Sequence, residues 1–120
     1  MTQKISITVD VADLKAATDF YMQALSGEMK TKRSDEWAVI SIGGLNINLL
    51  ERASGTVAAA DQKRGYERHW TPIHFDFGVD DVVATAALVQ KHGGSIEGDV
   101  TPNFAPCVDP FGNGFCLVGI

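Results

Sequence analysis

Four side chains that could bind or react with a ligand lie on short segments in which apolar and polar residues alternate. They are Ser6, Asn48, His74 and Cys116. Histidine and cysteine can act as a base, a nucleophile or a metal ligand near neutral pH, whereas serine and asparagine bind through uncharged hydrogen bonds. Position 6 precedes 74 by 68 residues, and 48 precedes 116 by the same distance. The four side chains therefore form two matched pairs.

The same offset of 68 residues relates the two halves of the sequence. In each half an alternating segment (5–11, 73–79) predicts a strand, and an aspartate then caps a helical pattern, Asp13 in the first half and Asp81 in the second. Glycines end both helices, and hairpin signals follow at Gly43-Gly44 and at 109–114. We predict a duplicated βαβββ module with one constant offset and no insertion, at about 4–52 and 72–120, joined by a linker over 53–71.

The predicted strands have an apolar face, which includes Ile5 and Ile73 and should pack against the helices, and a polar face. Two sheets that curve toward each other would bring the polar faces into one cleft, although a solvated sheet face would show the same pattern. Residues 74 and 76 should lie about 7 Å apart along their strand, too far for a direct hydrogen bond. The candidate ligand-binding residues are Ser6, Trp37, Asn46, Asn48, His74, Asp76, Phe104 and Cys116.

Length and composition describe one ordinary globular domain spanning residues 1–120. A net charge of −5 argues against nucleic acid as a partner. No segment is long and apolar enough to span a membrane, and without a signal pattern we expect a cytoplasmic protein. An acidic chain would attract a cationic ligand, but the linker region is net basic. Arg52, just before the linker, and Lys63, Arg64, Arg68 and His69 within it would favour an anionic group if they faced the cleft.

Three stretches of the sequence resemble the vicinal oxygen chelate superfamily, which includes glyoxalases, bleomycin-resistance proteins and extradiol dioxygenases. They are Val11-Ala12-Asp13-Leu14 with Phe20-Tyr21, residues 74–82 (HFDFGVDDV), and Asp109-Pro110-Phe111-Gly112-Asn113. The resemblance covers essentially the whole chain. It implies an α+β fold of two tandem βαβββ modules that form a half-open mixed β-barrel, with homodimers common and modules sometimes exchanged between chains.

Metal-dependent members of that superfamily hold a divalent ion at four places, which fall here on Ser6, Asn48, His74 and Cys116, and only His74 is a matching ligand. We therefore expect no metal and no other cofactor, and predict a metal-independent protein that, as a homodimer, binds an aromatic or amphipathic small molecule and sequesters it. Two alternatives stay open. One is a metal-dependent or His/Cys-dependent lyase, isomerase or dioxygenase, and the other is a structural or regulatory dimer module with a vestigial cleft.

Overall fold

A computed structural model describes residues 3–120 of the chain. The first module comprises β1 (Ile7–Val11), α1 (Leu14–Gln23), β2 (Glu28–Ser34), β3 (Trp37–Ile42) and β4 (Leu45–Glu51). A small hairpin follows, made of β5 (Val57–Ala59) and β6 (Gln62–Lys63). The second module comprises β7 (Phe75–Val79), α2 (Val82–Lys91), β8 (Ser95–Ile96), β9 (Phe104–Val108) and β10 (Gly114–Gly119). The predicted α+β fold of tandem βαβββ modules is confirmed.

Each module folds into one mixed four-stranded sheet, in the orders β1-β4-β3-β2 and β7-β10-β9-β8. The first and last strands of each module pair in parallel, and the remaining strands are antiparallel. Both helices begin at the predicted aspartates: a carboxylate oxygen of Asp13 accepts from the Ala16 amide, and one of Asp81 from the Ala84 amide, each at 2.9 Å. Neither helix in residues 3–120 has the length and apolar content needed to cross a membrane.

The strand registers show that the offset between the modules is not constant, so the prediction of a gapless repeat is wrong. Ile7 pairs with Ile47, and Phe75 pairs with Phe115, which preserves the offset of 68. However, Ile47 also pairs with Ile40, whereas Phe115 pairs with Cys107, an offset of 67. The second module has one residue fewer after its helix and one more in its last hairpin. Both changes fall in turns, where backbone length can vary without moving the strands.

The core forms where the helices pack on the apolar faces of the sheets, and its largest fully buried side chains include Tyr21, Phe20, Ile40, Ile47, Leu49 and Leu117. Ile5 and Ile73 do not join it, contrary to the sequence prediction. They are 89% and 83% exposed, because the two parallel strands begin only at positions 7 and 75. Both side chains thus protrude at equivalent points of the two modules.

A buried carboxylate connects the first helix to the last hairpin. Asp109 is 3% exposed and accepts four hydrogen bonds: from the Tyr21 hydroxyl at 2.6 Å, from the backbone amides of Phe111 and Asn113 at 2.8 and 3.0 Å, and from the Asn113 side-chain amide at 2.9 Å. Buried carboxylates persist only when their oxygens are satisfied in this way. The hydrogen bond from Tyr21 therefore ties module one to module two through the protein interior.

Alkaline pH should weaken this connection. Burial, together with the nearby Asp109 carboxylate, raises the pKa of Tyr21 well above its usual 10.0. Because the folded state disfavours the phenolate, this contribution to stability is complete below the unfolded pKa and declines as the pH rises above it. Urea unfolding measured from neutral to alkaline pH should show a steeper loss of stability above about pH 10 in the parent protein than in Tyr21→Phe. Parallel curves for the two proteins would contradict the coupling.

Candidate functional site

A cavity of about 960 Å³ lies between the two modules, beneath the linker. That volume is in the range of small-molecule sites in proteins. Its walls come from β1, from the start of β7, from the β10 hairpin and from linker residues 63–71. Apolar side chains on the strands (Ile7, Val9, Phe75, Phe115) face a linker wall that contains Lys63, Arg64, Tyr66, Glu67, Arg68 and His69. The basic residues of the linker therefore face the cavity, a point that the sequence could not decide, and Arg52 is not among the lining residues.

The first half of the linker is held against β1 by Arg64. Its Nε donates to Asp10 Oδ2 at 2.8 Å and its Nη1 to the Val57 carbonyl at 2.7 Å, with only 16% of the side chain exposed. The Tyr66 hydroxyl adds a bond of 2.7 Å to the Arg52 carbonyl. A partly buried ion pair with additional hydrogen bonds is worth more than an exposed one, so this wall should be well fixed.

The second half of the linker is held against module two by Arg68 and His69. Arg68 donates from Nε and Nη2 to the two carboxylate oxygens of Glu97, at 2.9 and 2.8 Å, and this pair lowers the pKa of Glu97. The His69 amide donates to the Gly112 carbonyl at 3.3 Å. Gly112 has no side chain at the point where the linker crosses it, and a Cβ there would lie 2.1 Å from the Glu67 carbonyl oxygen.

His74, Asp76 and Cys116 form a polar cluster beside the main cavity, and His74 is also one of the residues that line that cavity. Their potential ligand atoms all lie within 4.8 Å of one another. His74 Nε2 is 3.2 Å from Asp76 Oδ1, so the expectation that these two residues are too far apart to interact is wrong. Residues 74 and 76 are two positions apart on one strand, so their side chains share a face, and their polar atoms lie closer together than the backbone spacing. His74 and Cys116 also line a smaller cavity of about 150 Å³ beside Trp70.

The candidate residues of the first module lie in a different environment. The Trp37 indole N–H donates to Asn48 Oδ1 at 2.9 Å, and the Asn48 amide nitrogen donates to the Ile7 carbonyl at 3.3 Å. Arg33 lies over the Trp37 ring at 5.2 Å. Ser6 and Asn46 are exposed. Among the residues of the two cavities described above, none of Ser6, Trp37, Asn46 or Asn48 appears, and neither do Asp76 and Phe104.

The structure thus joins three of the eight candidates, His74, Asp76 and Cys116, and leaves the others apart from them. Trp37 and Phe104 begin the equivalent strands β3 and β9 and are 39% and 44% exposed. The set of eight ligand-binding residues stays a prediction. Sequence reasoning placed the main cavity residues of the linker outside this set, although the length of the linker and its basic and aromatic content were already a signal of function.

Comparison with known proteins identifies the fold. Residues 6–118 match the family model of the glyoxalase-like domain. The chain belongs to this glyoxalase-like family. It therefore lies in the vicinal oxygen chelate superfamily, as the sequence motifs indicate. No curated protein sequence matches the chain.

Solved structures of similar fold span the whole glyoxalase-like domain. The genomically encoded fosfomycin resistance protein FosX from Listeria monocytogenes is 21% identical with a TM-score of 0.72, and the match covers 100% of this chain and 94% of that one. Lactoylglutathione lyase from Agrobacterium tumefaciens is also 21% identical, with a TM-score of 0.62 and coverage of 99% and 94%. A mutant of the Listeria protein has been solved with Mn(II) and a dihydroxypropylphosphonic acid. At these identities the likeness concerns the fold.

The four superfamily ligand positions do not fit a divalent ion in this glyoxalase-like domain. The side-chain amide of Asn48 is hydrogen-bonded at both its oxygen, by Trp37, and its nitrogen, by the Ile7 carbonyl. Ser6 offers only an exposed neutral hydroxyl. Burial, followed by the charge of Asp76 and its hydrogen bond, raises the pKa of the Cys116 thiol, which disfavours the thiolate that a metal needs. A metal bound instead by His74, Asp76 and Cys116 is chemically feasible, since these offer three donors from one module.

Thiol chemistry provides a check on this environment. Burial raises the pKa of Cys107 to about 11, and this side chain is fully buried, whereas Cys116 is partly exposed. Because the thiolate is the reactive form, both cysteines should react slowly at neutral pH. We expect a native protein treated with Ellman's reagent to release the equivalent of one thiol, from Cys116, and a second only in denaturant. Rapid release of both would show that the interior of module two is open, and Cys116→Ser identifies the reacting residue.

Proposed function

We propose that this glyoxalase-like protein binds an organic small molecule in the cavity between its modules, without a metal ion. The observation that carries the proposal is the cavity of about 960 Å³, in which an apolar strand wall faces a polar linker wall. Sites for small molecules combine these two features: apolar area supplies most of the affinity, and a few fixed polar groups orient the ligand. The Arg64–Asp10 and Arg68–Glu97 ion pairs hold the polar wall in place before a ligand arrives.

Metal independence is proposed because the side chains at the superfamily positions are already hydrogen-bonded or are protonated. Asn48 cannot turn its amide oxygen toward an ion without breaking its bond to Trp37, and the raised pKa of Cys116 keeps its thiol protonated near neutral pH. At the four superfamily positions only the His74 imidazole remains as a strong donor, which is too few for a stable zinc, iron or manganese site there. The cavity itself needs no ion, since its charged groups belong to the protein.

A thermal-shift screen of chelator-treated protein tests the proposal. A ligand present at about 100 times its dissociation constant adds about 2.7 kcal/mol to the stability, which raises Tm by roughly 10 °C. We expect shifts with compounds that carry an aromatic or aliphatic body and a polar group, and a smaller shift in Phe75→Ala, which removes part of the apolar wall. Lack of any shift across a broad screen would contradict binding and favour the structural dimer module with a vestigial cleft. The homodimer itself stays a prediction.

The polar cluster supports one alternative, a metal-dependent or His/Cys-dependent enzyme. His74, Asp76 and Cys116 place an imidazole, a carboxylate and a thiol within 4.8 Å of one another, which is enough for a metal site or for acid–base chemistry. Elemental analysis of protein purified without chelator separates the two functions. We expect metal well below one equivalent per chain. One equivalent of Zn, Mn or Fe, lost in His74→Ala, would favour the enzyme.

A further inference from the structure

Resting on the proposed function, we infer that the ligand is an amphipathic organic anion whose charged group lies against the linker, near Lys63, and whose apolar body lies against β1, β7 and β10. The chain as a whole is acidic, with a net charge of −5. The residues that line the cavity carry one excess positive charge, since Lys63, Arg64 and Arg68 stand against the carboxylates of Asp10 and Glu67. The carboxylate paired with Arg68, that of Glu97, lies outside this lining. A local reversal of sign in a concave site attracts a ligand of the opposite charge.

His69 is fixed in this wall by contacts at both of its ring nitrogens. Its Nδ1 lies 2.8 Å from the Glu67 carbonyl oxygen and its Nε2 lies 3.0 Å from Asn113 Oδ1. The orientation of the Asn113 amide is set by its own nitrogen, which donates to Asp109 Oδ2 at 2.9 Å, so its oxygen must face His69. Both ring nitrogens are thus held by protein groups, so His69 helps to fix the linker wall in place.

The arginines are not free to bind the anion directly. All three Arg68 nitrogens have protein acceptors, two of them on Glu97 and the third on the carbonyls of His69 and Gly112. Arg64 is paired with Asp10. Lys63 differs, because it forms no ion pair with any residue in 3–120. It is thus the cation of the cavity wall that is available to a ligand, with Glu67 as the carboxylate whose charge opposes binding.

The opposite wall determines the remainder of the ligand. Ile7 and Val9 on β1 face the cavity together with Phe75 and Phe115 of the second module. Phe77 packs edge-on against Phe115, with ring centroids 5.4 Å apart, and lies 5.6 Å from Phe75, which supports these rings from behind. A small inorganic anion would leave this surface wet, whereas a ring or an alkyl chain would cover it. One charged group and one apolar body are the minimum description of the ligand.

Calorimetric titration with three naphthalene probes tests the sign of the charge. The probes are 2-naphthoate, the neutral 2-naphthamide and the cationic 2-naphthylmethylammonium, which share one apolar body. We expect 2-naphthoate to bind at least about tenfold more tightly than the amide, and the cation to bind most weakly. Lys63→Glu should weaken naphthoate binding by about tenfold or more, with little effect on the amide, and Glu67→Gln should strengthen it. Lys30→Glu, an exposed residue of β2 outside the cavity, makes the same change in net charge and should leave the affinity unchanged.

The outcomes separate this inference from the proposed function. Equal affinities for the three probes, or tighter binding of the cation, would overturn the anion and leave a small-molecule site. A Lys63→Glu effect no larger than that of Lys30→Glu would overturn the role of Lys63 and show that only the overall charge matters. If none of the three probes binds at millimolar concentration, the cavity itself is contradicted as a ligand site.

Discussion

Replacing Asp109 with alanine is expected to lower the free energy of unfolding by about 3–5 kcal/mol, measured by urea denaturation. The change leaves four donors without their acceptor in a region that is 3% exposed at Asp109, including the buried hydroxyl of Tyr21. Asp109→Asn keeps the shape but presents its own amide N–H groups to these donors, so about 2 kcal/mol should be lost. Asp61→Ala, in the exposed turn of the linker hairpin, is the control and should be close to neutral.

A double-mutant cycle tests whether Tyr21 acts through Asp109. Tyr21→Phe alone should cost about 1–2 kcal/mol, because a charge-assisted bond of 2.6 Å is lost while three donors to the carboxylate remain. In the background of Asp109→Asn the same change should cost much less. Additive effects would show that the two modules are not connected through this bond.

Replacing Gly112 with alanine should cost about 3 kcal/mol, for two separate reasons. The residue has φ = +82°, which L-amino acids adopt with strain, and an added Cβ would lie 2.1 Å from the carbonyl oxygen of Glu67. The linker would have to move away from the β10 hairpin, breaking the bond between the His69 amide and the Gly112 carbonyl. Because the linker forms a wall of the cavity, ligand affinity should fall as well.

Two glycines of the linker separate the effect of backbone strain from the effect of the clash. Gly55 has φ = +84° but nothing within 4 Å of an added Cβ, so Gly55→Ala measures backbone strain alone, about 1 kcal/mol. Gly65 also has open space around it and no positive φ, so Gly65→Ala should change stability by less than about 0.5 kcal/mol. Equal losses for Gly112→Ala and Gly55→Ala would contradict the close packing of the linker on the hairpin.

Local patterns account for the parts of the fold that could be predicted. Alternation along 5–11 and 73–79 and the caps at Asp13 and Asp81 involve contacts within a few residues, and they reappear in the structure as β1, β7 and the helix starts. The change of offset to 67 could not be predicted, because glycine-containing turns absorb one residue without changing the hydrophobic pattern. The prediction that Ile5 and Ile73 pack against the helices was wrong for a similar reason, since alternation does not mark where strand pairing begins.

The candidate site was less accessible to sequence reasoning. The structure brings His74, Asp76 and Cys116 together, because they lie on one face of a strand and of its parallel neighbour, whereas the polar residues of the first module do not join them. The cavity, in contrast, depends on where a linker without periodicity lies in space. Arg64 and Arg68 reach Asp10 and Glu97, which are 54 and 29 residues away along the chain, and no local rule predicts such partners.

Whether ligand binding needs a metal is decided by the affinity of the isolated protein for 2-naphthoate, measured by calorimetry after extensive chelator treatment and again with added Mn(II) or Zn(II). If binding uses only the protein's own charges and rings, the dissociation constant should be the same after chelation, with Mn(II) and with Zn(II). In each case added salt should weaken the binding, because salt screens the charge of Lys63. Binding that requires the metal, and that disappears in His74→Ala, would contradict metal-independent binding in the cavity and would assign the site to the His74–Asp76–Cys116 cluster.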